Sequence, residues 1–149
     1  MIRKAQISDV KEIQKLLTSF ANRGDMLSRS LSELYENIRD FYVAKEADRL
    51  LGTAALHIVW EDLAEVRSVA VAEESGRKGI GSQLVQACIA EAREIGLRRI
   101  FCLTYKPDFF AKHGFSLVDK SELPHKVWSD CIKCVKFPDC DENAMILDL

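Results

Sequence analysis

The stretch Val66-Arg67-Ser68-Val69-Ala70-Val71 reads as a buried strand, because apolar and β-branched residues dominate a run of strand length. A short acidic turn follows, then Gly76-Arg77-Lys78-Gly79-Ile80-Gly81, then a helical pattern over 82–95. No other part of the chain restricts the architecture as tightly. A strand that passes through exposed backbone amides into a helix N-terminus offers donors to an anion, and Arg77 and Lys78 add charge beside them. A P-loop is excluded, because Gly81 is followed by Ser82 and Gln83 where Lys and Ser or Thr are needed. A dinucleotide fingerprint is excluded as well, because its third glycine position is Leu84. Taken alone, such a turn is as often a structural cap as an anion site.

The rest of the chain mixes strand and helix patterns. Residues 1–5 form a short strand candidate. Ser8 or Asp9 can cap a helix over 10–20, in which Val10, Ile13, Leu16, Leu17 and Phe20 share one face. Asn22-Arg23-Gly24-Asp25 breaks that pattern, and Ser30-Leu31-Ser32-Glu33 fits the capping box of a second helix. Leu31, Leu34, Tyr35 and Ile38 are its expected buried stripe. Residues 41–45 and 51–59 read as antiparallel neighbours around a polar turn, and 63–71 as a third strand that enters the glycine loop. In the long helix Ile80, Leu84, Cys88, Ala92 and Ile95 line one face, and Gly96 stops it. Short strands are expected over 99–103, 115–118 and 144–147, with a brief helix over 108–113 ended by Gly114. Residues 119–143 lack periodicity and read as an insertion within one domain spanning 1–149. This order predicts a mixed sheet with helices on its faces.

Charge bounds the partners. With 21 basic and 23 acidic residues the net charge is −2, which favours neither nucleic acid nor an anionic membrane. No apolar run approaches the roughly 18 residues that span a bilayer. Arg3 and Lys4 lead into Gln6, Ser8 and Asp9, so no export signal is expected and the cytoplasm is the expected compartment. The five cysteines then read as reduced thiols. Cys131-x-x-Cys134 with Cys140 and His125 has spacing that suits zinc or a transient disulfide, but plain thiols are the leading reading and no metal is expected. Cys88 and Cys102 have no activating partner in sequence. His57 reads as a tolerated surface or core histidine, and Trp60 and Trp128 as packing residues.

Residues 65–84, together with Asp108-Phe109-Phe110-Ala111-Lys112-His113-Gly114-Phe115, resemble the GNAT N-acetyltransferase superfamily. The resemblance implies an α/β (α+β) fold: a mixed, mostly antiparallel central sheet, flanked by helices on both faces and splayed between its fourth and fifth strands. It implies acetyl-CoA as co-substrate, with the loop amides on its pyrophosphate and the helix-Gly-Phe element closing the pantetheine side. The cofactor-binding positions implied are Val69, Ala70, Val71, Arg77, Lys78, Gly79, Ile80, Gly81, Ser82 and Phe110. Two positions depart from the family. Gly76 stands where Gln or Arg usually begins the loop, so Arg77 and Lys78 are expected to compensate. Phe110 stands where many members carry a tyrosine acid, so another group must protonate the leaving thiolate.

Three segments resemble the short, stand-alone N-acetylglutamate synthases: Met26-Leu27-Ser28-Arg29-Ser30, the strand beginning Ala64-Glu65, and the tail from Leu123-Pro124-His125-Lys126 to Cys140-Asp141-Glu142. The implied reaction acetylates the α-amine of L-glutamate or L-glutamine, the entry step of arginine synthesis. The amino-acid-kinase domain of the classical synthases is not expected, nor is arginine regulation through it. The alternatives are an acetyltransferase of the same fold for another small amine or a protein N-terminus, and a non-enzymatic acyl-CoA or metal-binding module. A monomer and a homodimer both stay open.

A free amino acid's α-amine, with a pKa of about 9 to 10, costs roughly 3 kcal/mol to deprotonate at pH 7. A carboxylate within reach can take that proton, and Glu65, matching the family's glutamate, is the chosen base. The amide of Val69 is the expected donor to the thioester oxygen. Thr104 or Tyr105 could orient the amine or protonate the thiolate. Arg29 is the expected fork for a substrate carboxylate, with Arg67 and Lys126 as further candidates.

Overall fold

The computed structural model describes residues 2–24, 29–73, 79–124 and 142–149. Seven strands, β1 (Ile2–Lys4), β2 (Phe41–Glu46), β3 (Arg49–Trp60), β4 (Leu63–Val71), β5 (Arg99–Thr104), β6 (Ser116–Val118) and β7 (Asn143–Asp148), form one sheet. Their order is β1-β2-β3-β4-β5-β7-β6, and only the β4–β5 pair is parallel. The helices are α1 (Val10–Asn22), α2 (Leu31–Glu36), α3 (Ile80–Glu94) and α4 (Pro107–Ala111).

Alternation along the strands divides the core between two faces. On one, Ala44, Ala54, Leu56, Ala64, Val66, Ile100 and Cys102 pack under α3, through Ile80, Leu84, Val85, Cys88, Ile89 and Ala92. On the other, Val43, Ala55 and Ala70 pack under α1 and α2, through Val10, Ile13, Leu17 and Leu34. A smaller cluster of Leu63, Phe101, Leu123 and Ala144 serves the β5–β7 half. Helices on both faces and a mixed, mostly antiparallel sheet agree with the sequence reading.

Several local expectations need correction. Neither Ser8 nor Asp9 caps α1: the turn Ile7–Asp9 precedes it, and no side-chain cap bond is made. Asp9 instead lies 1% exposed and accepts from the Gln6 amide (2.7 Å), Arg3 (2.8 Å) and Lys45 (3.3 Å). Ser30 does cap α2, accepting from the Glu33 amide at 3.1 Å. Tyr35, Ile95 and Trp60 were expected to pack, and each is exposed. Their elements end or turn there, so apolar character alone does not bury them. The glycines expected to stop α3 and α4 do so with positive φ, 90° at Gly96 and 93° at Gly114.

Candidate active site

The β4–β5 ladder is brief. Only Leu63, Ala64 and Glu65 have partners on β5, namely Arg99, Ile100 and Phe101. β4 runs on to Val71 and β5 to Thr104, so the two strands part beyond Glu65. β5 stays paired on its other edge, Cys102 with Met145 and Thr104 with Asn143. β4 likewise stays paired with β3 as far as Val71. The gap is therefore flanked by a ladder on each outer edge. Unpaired strand edges of this kind can take an extended ligand as a further strand.

At the end of β4 the chain returns as α3, capped by Gly79 in the left-handed region with φ 72°. The first intrahelical bond runs from the Gln83 amide to the Gly79 carbonyl, so the amides of Ile80, Gly81 and Ser82 are turned outward. Among the described residues no side-chain cap bond is made at this terminus. Their partial positive charge suits an anion. Gly81 lies against two side chains: a Cβ on it would make ordinary contacts, 3.4 Å from Phe109 Cζ and 3.5 Å from Val71 Cγ2. Phe109 is thus the ring that closes on this turn, and sequence reasoning missed it. The Phe110 ring, assigned to the cofactor, is 5% exposed and packs edge-on against Phe109 and Phe115 in the core. Val69 and Val71 pack against the α3-side cluster, whereas Ala70 turns its methyl to the α1 side. Arg77, Lys78, Lys126 and the cysteines at 131, 134 and 140 lie outside the described residues.

The opposite face of the gap carries the polar groups. Ala64 and Val66 point toward α3, so Glu65 and Arg67 point toward the face that α1 and α2 cover. Arg67 Nη1 is 3.7 Å from Glu65 Oε1, with both side chains mostly buried. Arg29 lies between α1 and α2, its Nη1 3.5 Å from Glu33 Oε2 and its side chain 9% exposed. One group here went unrecognised in the sequence: His57 pairs with Glu65 across the β3–β4 ladder, and its Nδ1 lies 2.7 Å from Asp40 Oδ2. Cross-strand placement could have suggested the first contact, but nothing local signals the second.

At the far end of β5, Thr104 is buried and its Oγ1 accepts from the Lys106 amide at 2.8 Å, which leaves its hydroxyl hydrogen to donate. Tyr105 beside it is partly exposed. Neither described cysteine is a nucleophile. Burial, with the Glu65 and Glu142 carboxylates, pushes the Cys102 thiol well above its ordinary range. Burial, with Glu91, pushes Cys88 up to about 12.

Strands parted beside a helix N-terminus with outward-turned amides, with a carboxylate at the fork, define an acyltransferase architecture. Residues 10–115 match the acetyltransferase (GNAT) family, and the chain belongs to it. It is 38% identical over 148 residues to an uncharacterized N-acetyltransferase of Chlorobaculum tepidum, covering 99% of this chain and 96% of that one. It is 35% identical over 133 residues to the amino-acid acetyltransferase of Mycobacterium tuberculosis, covering 87% and 76%. Among solved structures, N-acetylglutamate synthase of Neisseria gonorrhoeae, complexed with coenzyme A and N-acetyl-glutamate, superposes with a TM-score of 0.90 at 28% identity. That match covers all of this chain and 35% of the gonococcal one.

Proposed function

We propose that the protein transfers the acetyl group of acetyl-CoA to the α-amine of L-glutamate or L-glutamine, as the opening step of arginine synthesis. The observation that carries this reading is the position of Glu65 at the fork, where β4 leaves β5, on the face opposite α3. The donor reaches the gap from the α3 side, with its pyrophosphate on the amides of Ile80, Gly81 and Ser82. Arg77 and Lys78 supply charge there, and pantetheine lies along Val69, Ala70 and Val71. The acceptor reaches it from the α1 and α2 side. Likeness to amino-acid acetyltransferases supports an amino acid as that acceptor.

In this reading Glu65 takes a proton from the ammonium, directly or through one water. The free amine attacks the thioester carbonyl, and the Val69 amide stabilises the oxyanion. The C–S bond breaks, and Thr104 or Tyr105 passes a proton to the departing thiolate. Arg29 and Arg67 hold the acceptor's carboxylates, with Lys126 as a further cation.

A thiol-release assay across the free amino acids tests it. The expected result is turnover with glutamate or glutamine that falls at least about a hundredfold in Glu65→Gln, within the range general bases contribute. Turnover only with polyamines or peptide N-termini would move the acceptor claim to the alternative reading. Full activity in Glu65→Gln would remove that residue from the mechanism.

A further inference from the structure

His57 stands directly opposite Glu65 in the β3–β4 ladder. Partners of this kind bring their Cβ atoms to about 5 Å, so the imidazole and the carboxylate share one patch of the sheet face. The ring is also held from behind. Asp40 ends the turn Ile38–Asp40 just before β2, and β2 is locked to β3 from Phe41↔Ala55 onward. The Asp40 carboxylate is thereby fixed beside the His57 ring, at 2.7 Å from Nδ1. A carboxylate only accepts, so this bond needs Nδ1 to donate, which in a neutral ring would leave the Nε2 lone pair to accept. At 31% and 24% exposure the two side chains are partly sheltered, yet the ring still reaches water. Asp40 lies against the ring, Glu65 stands opposite it in the ladder, and Arg67 lies 3.7 Å from Glu65.

A single carboxylate is a poor resting place for an amine's proton. An ordinary glutamate, at about 4.3, lies much further below an α-amine than an ordinary imidazole at about 6.5. We propose that Asp40 and His57 form a proton-holding dyad behind Glu65: the acceptor's ammonium proton passes through Glu65 to His57 Nε2, and Asp40 steadies the imidazolium until water takes the proton. The inference rests on the reading of Glu65 as base and holds for any amine acceptor.

The step balances. The ammonium N–H bond breaks, and the freed lone pair forms the C–N bond. The sulfur leaves with the C–S electron pair and gains the proton lost from the acylated nitrogen. The imidazolium returns its own proton to water, one per turnover. Asp40 and His57 act through Glu65 and are positioning residues.

The test is a double-mutant cycle of Glu65→Gln and His57→Gln, with Asp40→Asn alongside, reading kcat and both KM values across pH. The expected result is a kcat loss of about 10- to 100-fold in His57→Gln near neutral pH, with KM values nearly unchanged. That loss shrinks as rising pH delivers free amine. In the Glu65→Gln background the same change costs less than about twofold, because the relay is already cut. Asp40→Asn gives a smaller copy of the His57→Gln profile. A loss confined to KM, equal at every pH, or fully additive with Glu65→Gln marks a structural pin and overturns the dyad. An inactive Glu65→Gln with a fully active His57→Gln overturns the dyad alone, whereas a fully active Glu65→Gln overturns the reading of Glu65 with it. Independently of turnover, a ¹⁵N spectrum that places the hydrogen on Nε2 instead of Nδ1 overturns it too.

Discussion

Arg67 and Ala70 are three residues apart on β4, yet they pair with Ala55 and Thr53, which are two apart on β3. The extra residue is absorbed around Ser68, whose φ of 57° is left-handed. A bulge of this kind exchanges the faces of everything beyond it. Ala64 and Val66 face α3 before it, and Val69 and Val71 do so after it, while Ala70 joins the face of Arg67. The same bend lies three residues beyond the end of the β4–β5 ladder, and it aims Val71 at α3.

Ser68 holds a conformation that costs an L-residue roughly 1–2 kcal/mol. Ser68→Gly removes that strain but returns about 0.5–1 kcal/mol in unfolded-chain entropy. The expected result is a gain of up to about 1 kcal/mol in urea unfolding, with activity kept. Ser68→Val crowds the same torsion with a β-branch and should lose about 1–2 kcal/mol. If the bulge sets the gap, the valine variant also raises the KM for acetyl-CoA.

Gly52 is where the sheet lets α3 come close. A Cβ there would lie 3.1 Å from the Ala70 carbonyl oxygen, 3.1 Å from Leu84 Cδ1 and 3.3 Å from Ile80 Cγ2. The leucine tip can turn aside, but the carbonyl is backbone and Ile80 opens α3. Gly52→Ala should therefore lift the first turn of the helix and cost about 1–3 kcal/mol, as overpacking does. The KM for acetyl-CoA should rise several-fold while that for the acceptor stays put. Thermal melts and steady-state kinetics together check this, and an unchanged acetyl-CoA KM would separate the α3 N-terminus from donor binding.

Much of this was legible in the chain, because the decisive signals are local. The bounds of β4 match the expectation over 63–71, and Gly96, Gly114 and the Ser30 cap fall where turn chemistry requires. The splay was implied by family resemblance alone. What stayed hidden depends on register or on distant partners. A one-residue bulge shifts the period-2 pattern from Ala64 and Val66 to Val69 and Val71, but in so apolar a run the slip is easily read as a regular strand. Asp40 and His57 are 17 residues apart and meet only because β2 and β3 pair as they do. Asp9 has the local look of a cap, yet its partner Lys45 lies 36 residues away. Phe109 and Phe110 are indistinguishable in sequence, and helix phase alone decides which one reaches Gly81.

The thiols of Cys88 and Cys102 are both buried, and burial raises both. A buried thiol whose pKa burial has raised is a poor target for an electrophile at neutral pH. Peptide mapping after brief maleimide treatment should find both sites unlabelled in the native protein and labelled in denaturant. Their labelling should follow global unfolding. Labelling of Cys102 ahead of it would mean that β5 opens locally from β7.

Asp9 ties β1, α1 and β2 together through Arg3 and Lys45. Burial pushes its carboxyl up, but hydrogen bonds from Arg3, the Gln6 amide and Lys45 outweigh that and hold it at about 2. The folded value lies below the ordinary one of 3.8, so the contribution to stability is complete above about pH 4 and is lost as pH falls through about 2. The shift corresponds to about 2 kcal/mol. Asp9→Asn should cost about that much near neutral pH, where an amide cannot answer both cations. Urea unfolding from neutral to acid should show the wild-type advantage shrinking only below about pH 4. An advantage that stayed constant down to pH 2 would mean that packing, not charge, makes Asp9 necessary.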